Sequence, residues 1–398
     1  MTNATNDTKN NRCQKLGLTT LLTVVSLSFC LLLMAGVAQA QAPAQGYGFA
    51  APGGYGVKIY KVESGLYPFV QVYFRTFDQN QQPLINLNER NVGLMVKGRA
   101  YDPMKGQYAV QSIRNRSEAT RSVIVLDASQ SMKVKPFETA VRAAGRFIDS
   151  KRPQDEVAIL AIVDGTKEGY ELVSNFERDP KALARRLADV RAEGTKTRLY
   201  DSIGAALQMC GMSAQGSISP GPSNYIVSCS VVVFSDGHDE GSAISREELN
   251  GRITNLPIPI PVYSLAYSKK GGAKYFQNLE AISKNSFGIY YLIGETVSKM
   301  QRVVENIQNI LQSDYVLTFR SYVPVDGEAH AFKLGIEYPA GSGKYTYAGE
   351  RFEAVEFPRR TEEIIEVFDD LEKKIHALPE GEKPYYDKIE QGKKAAAE

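Results

Sequence analysis

The sequence predicts an α/β fold in which a doubly wound, mostly parallel sheet is joined to a smaller antiparallel β domain. Two observations carry this prediction. The middle of the chain alternates apolar, β-branched runs with helical stretches, and shorter runs that alternate apolar and polar residues lie on both sides of it. Strands that are apolar throughout, with helices between them, are typical of a parallel sheet covered on both faces. Strands with alternating polarity are typical of half-buried antiparallel sheets.

The central segment gives the order of its elements. Its strand runs are followed by stretches with helical spacing, which predicts right-handed crossovers between parallel strands. The run at 170–176 comes only a short turn after the strand before it, which predicts an antiparallel edge strand instead. The remaining predicted strands lie at 122–127, 157–163, 230–236, 261–267 and 288–293, and the predicted helices at 137–150, 180–191, 199–210, 245–255, 273–283 and 297–311.

Length and charge set the number of domains and exclude one class of partner. A chain of 398 residues exceeds the usual size of one domain, so we expect two folded units. The 47 basic and 45 acidic side chains give a formal net charge of +2. This balance is not that of a nucleic-acid-binding protein, nor of a protein held on a membrane by a polybasic surface. We therefore expect no nucleic-acid partner.

The first 40 residues predict an export signal. Basic side chains precede an apolar run at 16–37, and a small-x-small sequence at 38–40 predicts cleavage. The remaining chain would begin near Gln41 and be periplasmic or secreted. The apolar run approaches the length that spans a bilayer, so an uncleaved N-terminal anchor stays open as the alternative. It would be the only attachment to a membrane that we expect.

The remaining boundaries follow from composition. Gly, Pro and Ala dominate residues 41–56, which predicts a flexible linker. An N-terminal β segment at 57–118 and a C-terminal β segment at 313–358 are expected to meet in one small sandwich. The α/β domain at 119–312 would be inserted between them. Residues 359–398 predict a charged helical tail that either docks on the body of the protein or pairs with a partner.

Two cysteines predict a disulfide. If the export signal is removed, the chain keeps only Cys210 and Cys229, an even pair in an oxidising compartment where disulfides persist. They enclose a stretch rich in Gly, Ser and Pro between a predicted helix and a predicted strand. Two buried free thiols are the alternative.

Small oxygen-bearing side chains follow the predicted strands. Asp127, Ser129 and Ser131 follow the first parallel strand, Asp236 ends another, and the loop at 193–197 offers two threonines. Ligands of open parallel sheets bind outside the carboxyl ends of the strands, so we expect these side chains to lie close together. Carboxylate and hydroxyl oxygens are the ligands that Mg²⁺ prefers. A site of this kind retains waters and can accept a carboxylate from another molecule.

Three motifs in this region resemble those of the von Willebrand factor A family. DASQS at 127–131 resembles its DxSxS element, TRLYDSIGAAL at 197–207 its T-x-L-Y-D-A stretch, and FSDGHDEGS at 234–242 its T/S-D-G segment. The resemblance covers roughly residues 120–312. It implies a Rossmann-like domain with a metal-ion-dependent adhesion site for Mg²⁺, or for Mn²⁺ or Ca²⁺, formed by Asp127, Ser129, Ser131, Thr197 and Asp236. Thr197 matches better than Thr195 because it stands three residues before Tyr200.

The resemblance implies an exported, non-enzymatic binding protein of the bacterial secreted type, whose cation binds an exposed Asp or Glu of a partner protein. Two alternatives stay open. A structural envelope protein would use the cation only to rigidify its loops, but a closed structural site is expected to use more carboxylates. A phosphohydrolase with an aspartate nucleophile would need a second carboxylate where Ser129 stands. A triad of Ser131, His238 and Asp239 lacks the G-x-S-x-G turn of hydrolases.

Overall fold

Three sheets form the fold within the residues that the structure describes. The computed structural model describes residues 55–79, 82–116, 118–215, 226–256, 259–267, 273–293, 297–356 and 369–376. Its strands are β1 (Tyr55–Leu66), β2 (Phe69–Asp78), β3 (Val92–Val96), β4 (Arg99–Ala100), β5 (Tyr108–Ser112), β6 (Ala119–Asp127), β7 (Glu156–Ile162), β8 (Tyr170–Glu177), β9 (Ile226–Ser235), β10 (Val262–Ala266), β11 (Tyr290–Leu292), β12 (Tyr315–Arg320), β13 (Ala329–Glu337) and β14 (Tyr345–Glu353).

Six α-helices lie in the described part of the central segment. They are α1 (Lys135–Asp149), α2 (Pro180–Asp189), α3 (Leu199–Gln215), α4 (Arg246–Thr254), α5 (Ala273–Asn285) and α6 (Val297–Leu311). Short 3₁₀ turns lie at Pro103–Lys105, Ile113–Asn115 and Gln130–Met132. A further helical stretch covers 369–374.

The central sheet is parallel except at one edge. Its order is β11-β10-β9-β6-β7-β8, and only β8 runs antiparallel to its neighbour. Helices α1, α2 and α6 pack on one face, and α3, α4 and α5 pack on the other. Val123 and Val125 of β6 face the second cluster and Ile124 faces the first, which is why this strand is apolar throughout. The predicted doubly wound sheet and its antiparallel edge strand are confirmed.

Two four-stranded antiparallel sheets pack against each other. Their orders are β1-β2-β12-β5 and β14-β13-β3-β4. Phe319 of the first sheet meets Phe332 and Phe352 of the second in a common core, with ring centroids 6.2 and 5.7 Å apart. Strand β12, which follows the central segment, pairs with β2 and β5, which precede it. The smaller antiparallel fold therefore draws on both flanks, as the sequence predicts, while the limits 57–118, 119–312 and 313–358 stay predictions.

Strand β1 begins inside the segment that the sequence predicts as a linker, 41–56. The reason is Tyr55, whose ring is buried and whose hydroxyl donates to the Ile336 carbonyl at 3.1 Å. Composition predicts that this tyrosine is part of the Gly- and Pro-rich linker, whereas its side chain packs in the core of the sandwich.

A buried ion pair holds the chain where it enters the central domain. Arg152, which follows α1, donates from Nε to Asp155 Oδ2 at 3.0 Å and from Nη2 to the Glu118 carbonyl at 2.9 Å. Asp155 Oδ1 in turn accepts from the Thr120 N–H at 2.8 Å. The start of β6 is thus fixed to the α1–β7 loop.

A second buried pair holds the chain where it leaves that domain. Arg75 of β2 donates from Nε and Nη2 to the Asp314 carboxylate at 2.7 and 2.8 Å. Its Nη1 donates to the Tyr263 hydroxyl of β10 at 2.9 Å. Asp314 is fully buried. Arg75 therefore connects the sandwich, the central sheet and the end of α6 through one guanidinium.

The predicted disulfide is present, so the alternative of two free thiols is wrong. It joins Cys210 of α3 to Cys229 of β9, and both residues are buried. The helix that follows Thr197 is therefore bonded to the strand that precedes Asp236.

Part of the predicted charged tail, 359–398, is described, and that part docks on the sandwich. Ile375 is buried, the His376 N–H donates to the Gly106 carbonyl at 2.8 Å, and Glu372 pairs with Arg320 at 3.2 Å. The rest of the tail lies outside the described residues, as does the predicted export signal at 1–40. Of the helices in the described ranges, none is long and apolar enough to cross a membrane.

Asp314→Ala is expected to lower the free energy of unfolding by about 3–5 kcal/mol, because it leaves the Arg75 guanidinium buried without its counter-charge. Urea unfolding followed by circular dichroism measures the change. The control is Glu305→Ala, which breaks the exposed pair with Arg146 (48% and 57% exposed) and should cost less than about 1 kcal/mol. Equal costs for the two variants would show that the buried pair does not hold the domains together.

Replacing both Cys210 and Cys229 by Ser is expected to lower the free energy of unfolding by about 3 kcal/mol, since the bridge closes a loop with a sequence separation of 19. The same difference should separate the oxidised chain from the chain reduced by dithiothreitol. Dithiothreitol should leave the double variant unchanged. A reductant effect on that variant would mean that the measured loss does not come from this bridge.

Candidate metal centre

Asp127 ends β6 at the carboxyl edge of the central sheet, with a side chain that is 0% exposed. Its Oδ1 accepts from the Ser129 N–H at 3.0 Å, and its Oδ2 accepts from the Ser235 hydroxyl at 2.7 Å. Burial raises the pKa of Asp127 to about 6, the charge of Asp236 adds to the rise, and the hydrogen bonds from the two serines oppose it. The carboxylate is therefore fixed in orientation but remains poorly compensated in charge.

The two serines of the first loop lie side by side. The Met132 N–H donates to the Ser129 carbonyl at 3.1 Å, which forms the 3₁₀ turn after β6. This turn places the Ser131 hydroxyl 3.0 Å from that of Ser129. Ser129 is buried, whereas Ser131 is exposed. The group is thus closed towards the sheet and open towards solvent.

The second loop is attached to the first by its backbone. The Gly194 N–H donates to the Ala128 carbonyl at 3.1 Å, and the Gln130 N–H donates to the Gly194 carbonyl at 2.7 Å. These bonds bring the chain that leads to Thr197 beside the end of β6. Thr197 itself is only 2% exposed.

Thr195 in the same loop has a different partner. Its N–H donates to Asp164 Oδ2 at 2.8 Å, and its hydroxyl donates to the same oxygen. Asp164 follows β7 and is exposed. The Thr195 side chain is thus hydrogen-bonded to the loop after β7, and Thr197 stays the predicted ligand.

The third loop turns sharply after β9. The Gly237 N–H donates to the Ser235 hydroxyl at 3.0 Å, and Asp236 Oδ1 accepts from the His238 N–H at 3.0 Å. Gly237 has φ +80°, and a Cβ on it would lie 2.6 Å from the Tyr275 carbonyl. Only glycine fits this turn, which holds Asp236 against the sheet edge.

The donor chemistry fits a hard divalent cation. No Lys, Arg or His side chain in the described ranges forms an ion pair with Asp127 or Asp236, although both carboxylates are buried and interact through their charges. Two such carboxylates repel each other unless a cation lies between them. The described ranges contain no group of three or more His, Cys, Asp or Glu side chains that could hold a metal. A site here would therefore combine two carboxylates with hydroxyls, which suits Mg²⁺ with retained waters.

The structure joins three of the five predicted site residues directly by hydrogen bonds. Asp127, Ser129 and Ser131 form one connected group, and Asp236 reaches it through the neighbouring Ser235 and through its charge. Thr197 is joined only through backbone contacts of its loop; its hydroxyl forms no hydrogen bond with the other four side chains in the part of the chain described here.

Ser235 takes part in this group, although the sequence did not mark it as a site residue. Its hydroxyl accepts from Gly237 and donates to Asp127, so it connects the two strands that carry the aspartates. The available signal was a hydroxyl at the end of an otherwise apolar strand, SVVVFS.

The catalytic triad considered from the sequence is not assembled. His238 Nδ1 lies 3.3 Å from the Glu240 carboxylate, and its ring lies 4.2 Å from that of Tyr275. Asp239 accepts from the Tyr200 N–H and from the Ser242 hydroxyl. Among the described residues no hydrogen bond connects Ser131, His238 and Asp239 with one another.

One comparison with known proteins identifies a domain type. Residues 122–238 match the family model for the von Willebrand factor type A domain, and this segment contains all five predicted site residues. A search of curated protein sequences finds no match.

Several solved structures are similar at low identity. A von Willebrand factor type A protein from Catenulispora acidiphila is 12% identical, with 69% of this chain and 76% of that chain covered and a TM-score of 0.42. The vWF domain of the type V pili tip protein Mfa5 from Porphyromonas gingivalis is 10% identical, with 50% and 97% covered and a TM-score of 0.35. Manganese-loaded TRAP protein from Plasmodium vivax is 11% identical, with 63% and 99% covered and a TM-score of 0.36.

Proposed function

The α/β domain of this chain is a von Willebrand factor type A domain, and on that premise we propose that the protein is an exported, non-enzymatic module that holds a divalent cation and binds an acidic side chain of a partner protein with it. One observation carries the proposal. Asp127 and Asp236 are buried beside hydroxyl side chains, and neither has an ion-pair partner in the described ranges. A cation between them would remove the cost of this arrangement.

The residues present can supply the ligands. Ser129, Ser131 and Thr197 would bind the cation through their hydroxyls, and the two aspartates would bind it directly or through water. Mg²⁺ suits such oxygen donors, and Mn²⁺ or Ca²⁺ can take its place. When bound, the cation supplies a Lewis-acidic position for a carboxylate.

The exposure of the loops supports a role in binding a macromolecule. Asp127 lies at the bottom of the site, whereas Gln130, Ser131 and Lys133 are exposed at its mouth. A side chain of another protein can therefore reach the cation from the solvent side. Two carboxylates with neutral hydroxyls leave the cation able to attract a third carboxylate, which is why we expect an exposed Asp or Glu on the partner.

The disulfide supports the exported location. Disulfides persist in oxidising compartments and are rare where thiols are kept reduced. The bridge between Cys210 and Cys229 fits a periplasmic or secreted chain, released by cleavage after residue 40 or held by an uncleaved N-terminal anchor.

Asp127→Ala is expected to abolish saturable binding of Mg²⁺ and Mn²⁺, a loss larger than the roughly 100-fold that follows removal of an outer-shell neighbour. Isothermal titration of the purified full chain measures it. The control is Asp149→Ala, which removes an exposed carboxylate at the end of α1 and should leave binding unchanged. Undiminished binding by Asp127→Ala would show that the cation is held elsewhere.

The same variant separates partner binding from a structural role. An envelope-protein pull-down should retain a partner with the wild-type chain in Mg²⁺, and lose it with EDTA or with Asp127→Ala. A chain that binds the cation, gains thermal stability from it and retains no partner would favour the structural envelope protein instead.

A further inference from the structure

The loops that carry Thr197 and Asp236 contact each other outside the candidate metal centre. Helix α3 begins at Leu199, just after Thr197, and residues 237–245 follow Asp236 between β9 and α4. The first backbone N–H groups of a helix have no partner within that helix. Two of those of α3, at Tyr200 and Asp201, find their partners in the loop that follows Asp236.

Side chains of this loop cap the helix. The Tyr200 N–H donates to Asp239 Oδ1 at 3.2 Å and to the Ser242 hydroxyl at 3.1 Å. The Asp201 N–H donates to the same hydroxyl at 3.2 Å. The Ser242 hydroxyl in turn donates to Asp239 Oδ1 at 2.5 Å. Two side chains of the Asp236 loop thus satisfy two N–H groups of the helix behind Thr197.

A side chain of the helix also caps the loop. Asp201 Oδ2 accepts from the Ala243 N–H at 2.8 Å, and its Oδ1 accepts from the Ile244 N–H at 3.2 Å. Arg198 pairs with the same carboxylate at 2.5 Å and keeps it in place. The capping therefore runs in both directions, and we call Asp201, Asp239 and Ser242 the reciprocal cap.

Two further bonds act on the same pair of elements. The Glu240 N–H donates to the Thr197 carbonyl at 2.6 Å, directly beside the candidate ligand. The disulfide between Cys210 and Cys229 joins α3 to β9 at a distance from the site. Helix and strand are thus held to each other at both ends.

We propose that the reciprocal cap positions Thr197 relative to Asp236, so that the affinity of the centre for its cation depends on three residues that are not ligands. This inference rests on the proposed function. Hydroxyls are weak ligands, and Mg²⁺ demands nearly ideal octahedral geometry, so a small displacement of Thr197 removes it from coordination. Neighbours that orient metal ligands typically contribute about 10–100-fold in affinity.

The experiment measures Mn²⁺ binding to the purified full chain by isothermal titration and by electron paramagnetic resonance. Asp239→Ala and Ser242→Ala each remove acceptors from the cap and are expected to weaken Mn²⁺ binding by about 10-fold or more. Asp239→Asn and Ser242→Thr keep an acceptor oxygen at the same position and should restore most of the affinity. The resonance of bound Mn²⁺ should change in the alanine variants, because its ligand geometry changes.

Asp179→Ala is the matched control. Asp179 caps α2 in the same manner, accepting from the Lys181 N–H at 2.9 Å, but its helix carries no predicted ligand. This variant should lose thermal stability to a similar extent as Ser242→Ala while binding Mn²⁺ as the wild type does. Circular dichroism confirms that each variant is folded before titration.

The outcomes separate the inference from the proposed function. Wild-type affinity in both Asp239→Ala and Ser242→Ala, or an equal loss in Asp179→Ala, would overturn the positioning role while Asp127→Ala still loses the cation. Mn²⁺ binding that survives Asp127→Ala, or a wild-type chain that binds no Mn²⁺, would overturn the proposed function and the inference with it.

Discussion

A carboxylate buried without a cationic neighbour is the constraint on which the carboxyl edge of the central sheet depends. Moving an ionised carboxyl group from water into a protein interior is costly unless it is paired or hydrogen-bonded. Asp127 receives one backbone N–H and one hydroxyl, yet its pKa still lies near 6. The loops around it also bring the Asp236 carboxylate towards this charge, which raises the cost further in the absence of a cation.

The pairing register of β6 and β9 produces this arrangement. In the parallel pairing of β6 with β9, Leu126 stands beside Phe234, so the residues that follow, Asp127 and Ser235, emerge together at the sheet edge. A slip of one residue would turn every side chain of the strand to the other face and would place an aspartate among the apolar residues under a helix. The packing of helices on both faces of the central sheet therefore fixes the strand register, and with it the positions of the site residues.

The local sequence pattern predicted the helices, the strands and the residues at the strand ends. It could not predict contacts between residues that lie far apart in the sequence. The predicted helix at 297–311 coincides with α6, and the antiparallel edge strand was predicted because so few residues separate β7 from β8. The Arg75–Asp314 pair joins residues far apart in sequence, and no spacing rule connects them. Asp239 and Ser242 belong to a motif that the sequence did highlight, but their role depends on where α3 lies, which only the fold reveals.

The strands of the central sheet lie in sequence between β5 and β12 of the first antiparallel sheet, and this limits the order in which the strands can pair. The central sheet is built from one contiguous stretch of the chain. In contrast, β2 of the sandwich cannot pair with β12 until β12 has been synthesised, after that whole stretch. Once the domain has folded, its two ends lie together, with the Ile113 N–H bonded to the Asp314 carbonyl at 2.8 Å. The entropic cost of closing the long loop between β5 and β12 has then already been met, so these two strands can pair as if they were neighbours in the sequence. A nascent chain that stops before Tyr315 therefore carries the central sheet beside a β2 edge that has not yet paired with β12, and this edge is open to wrong pairing until synthesis is complete.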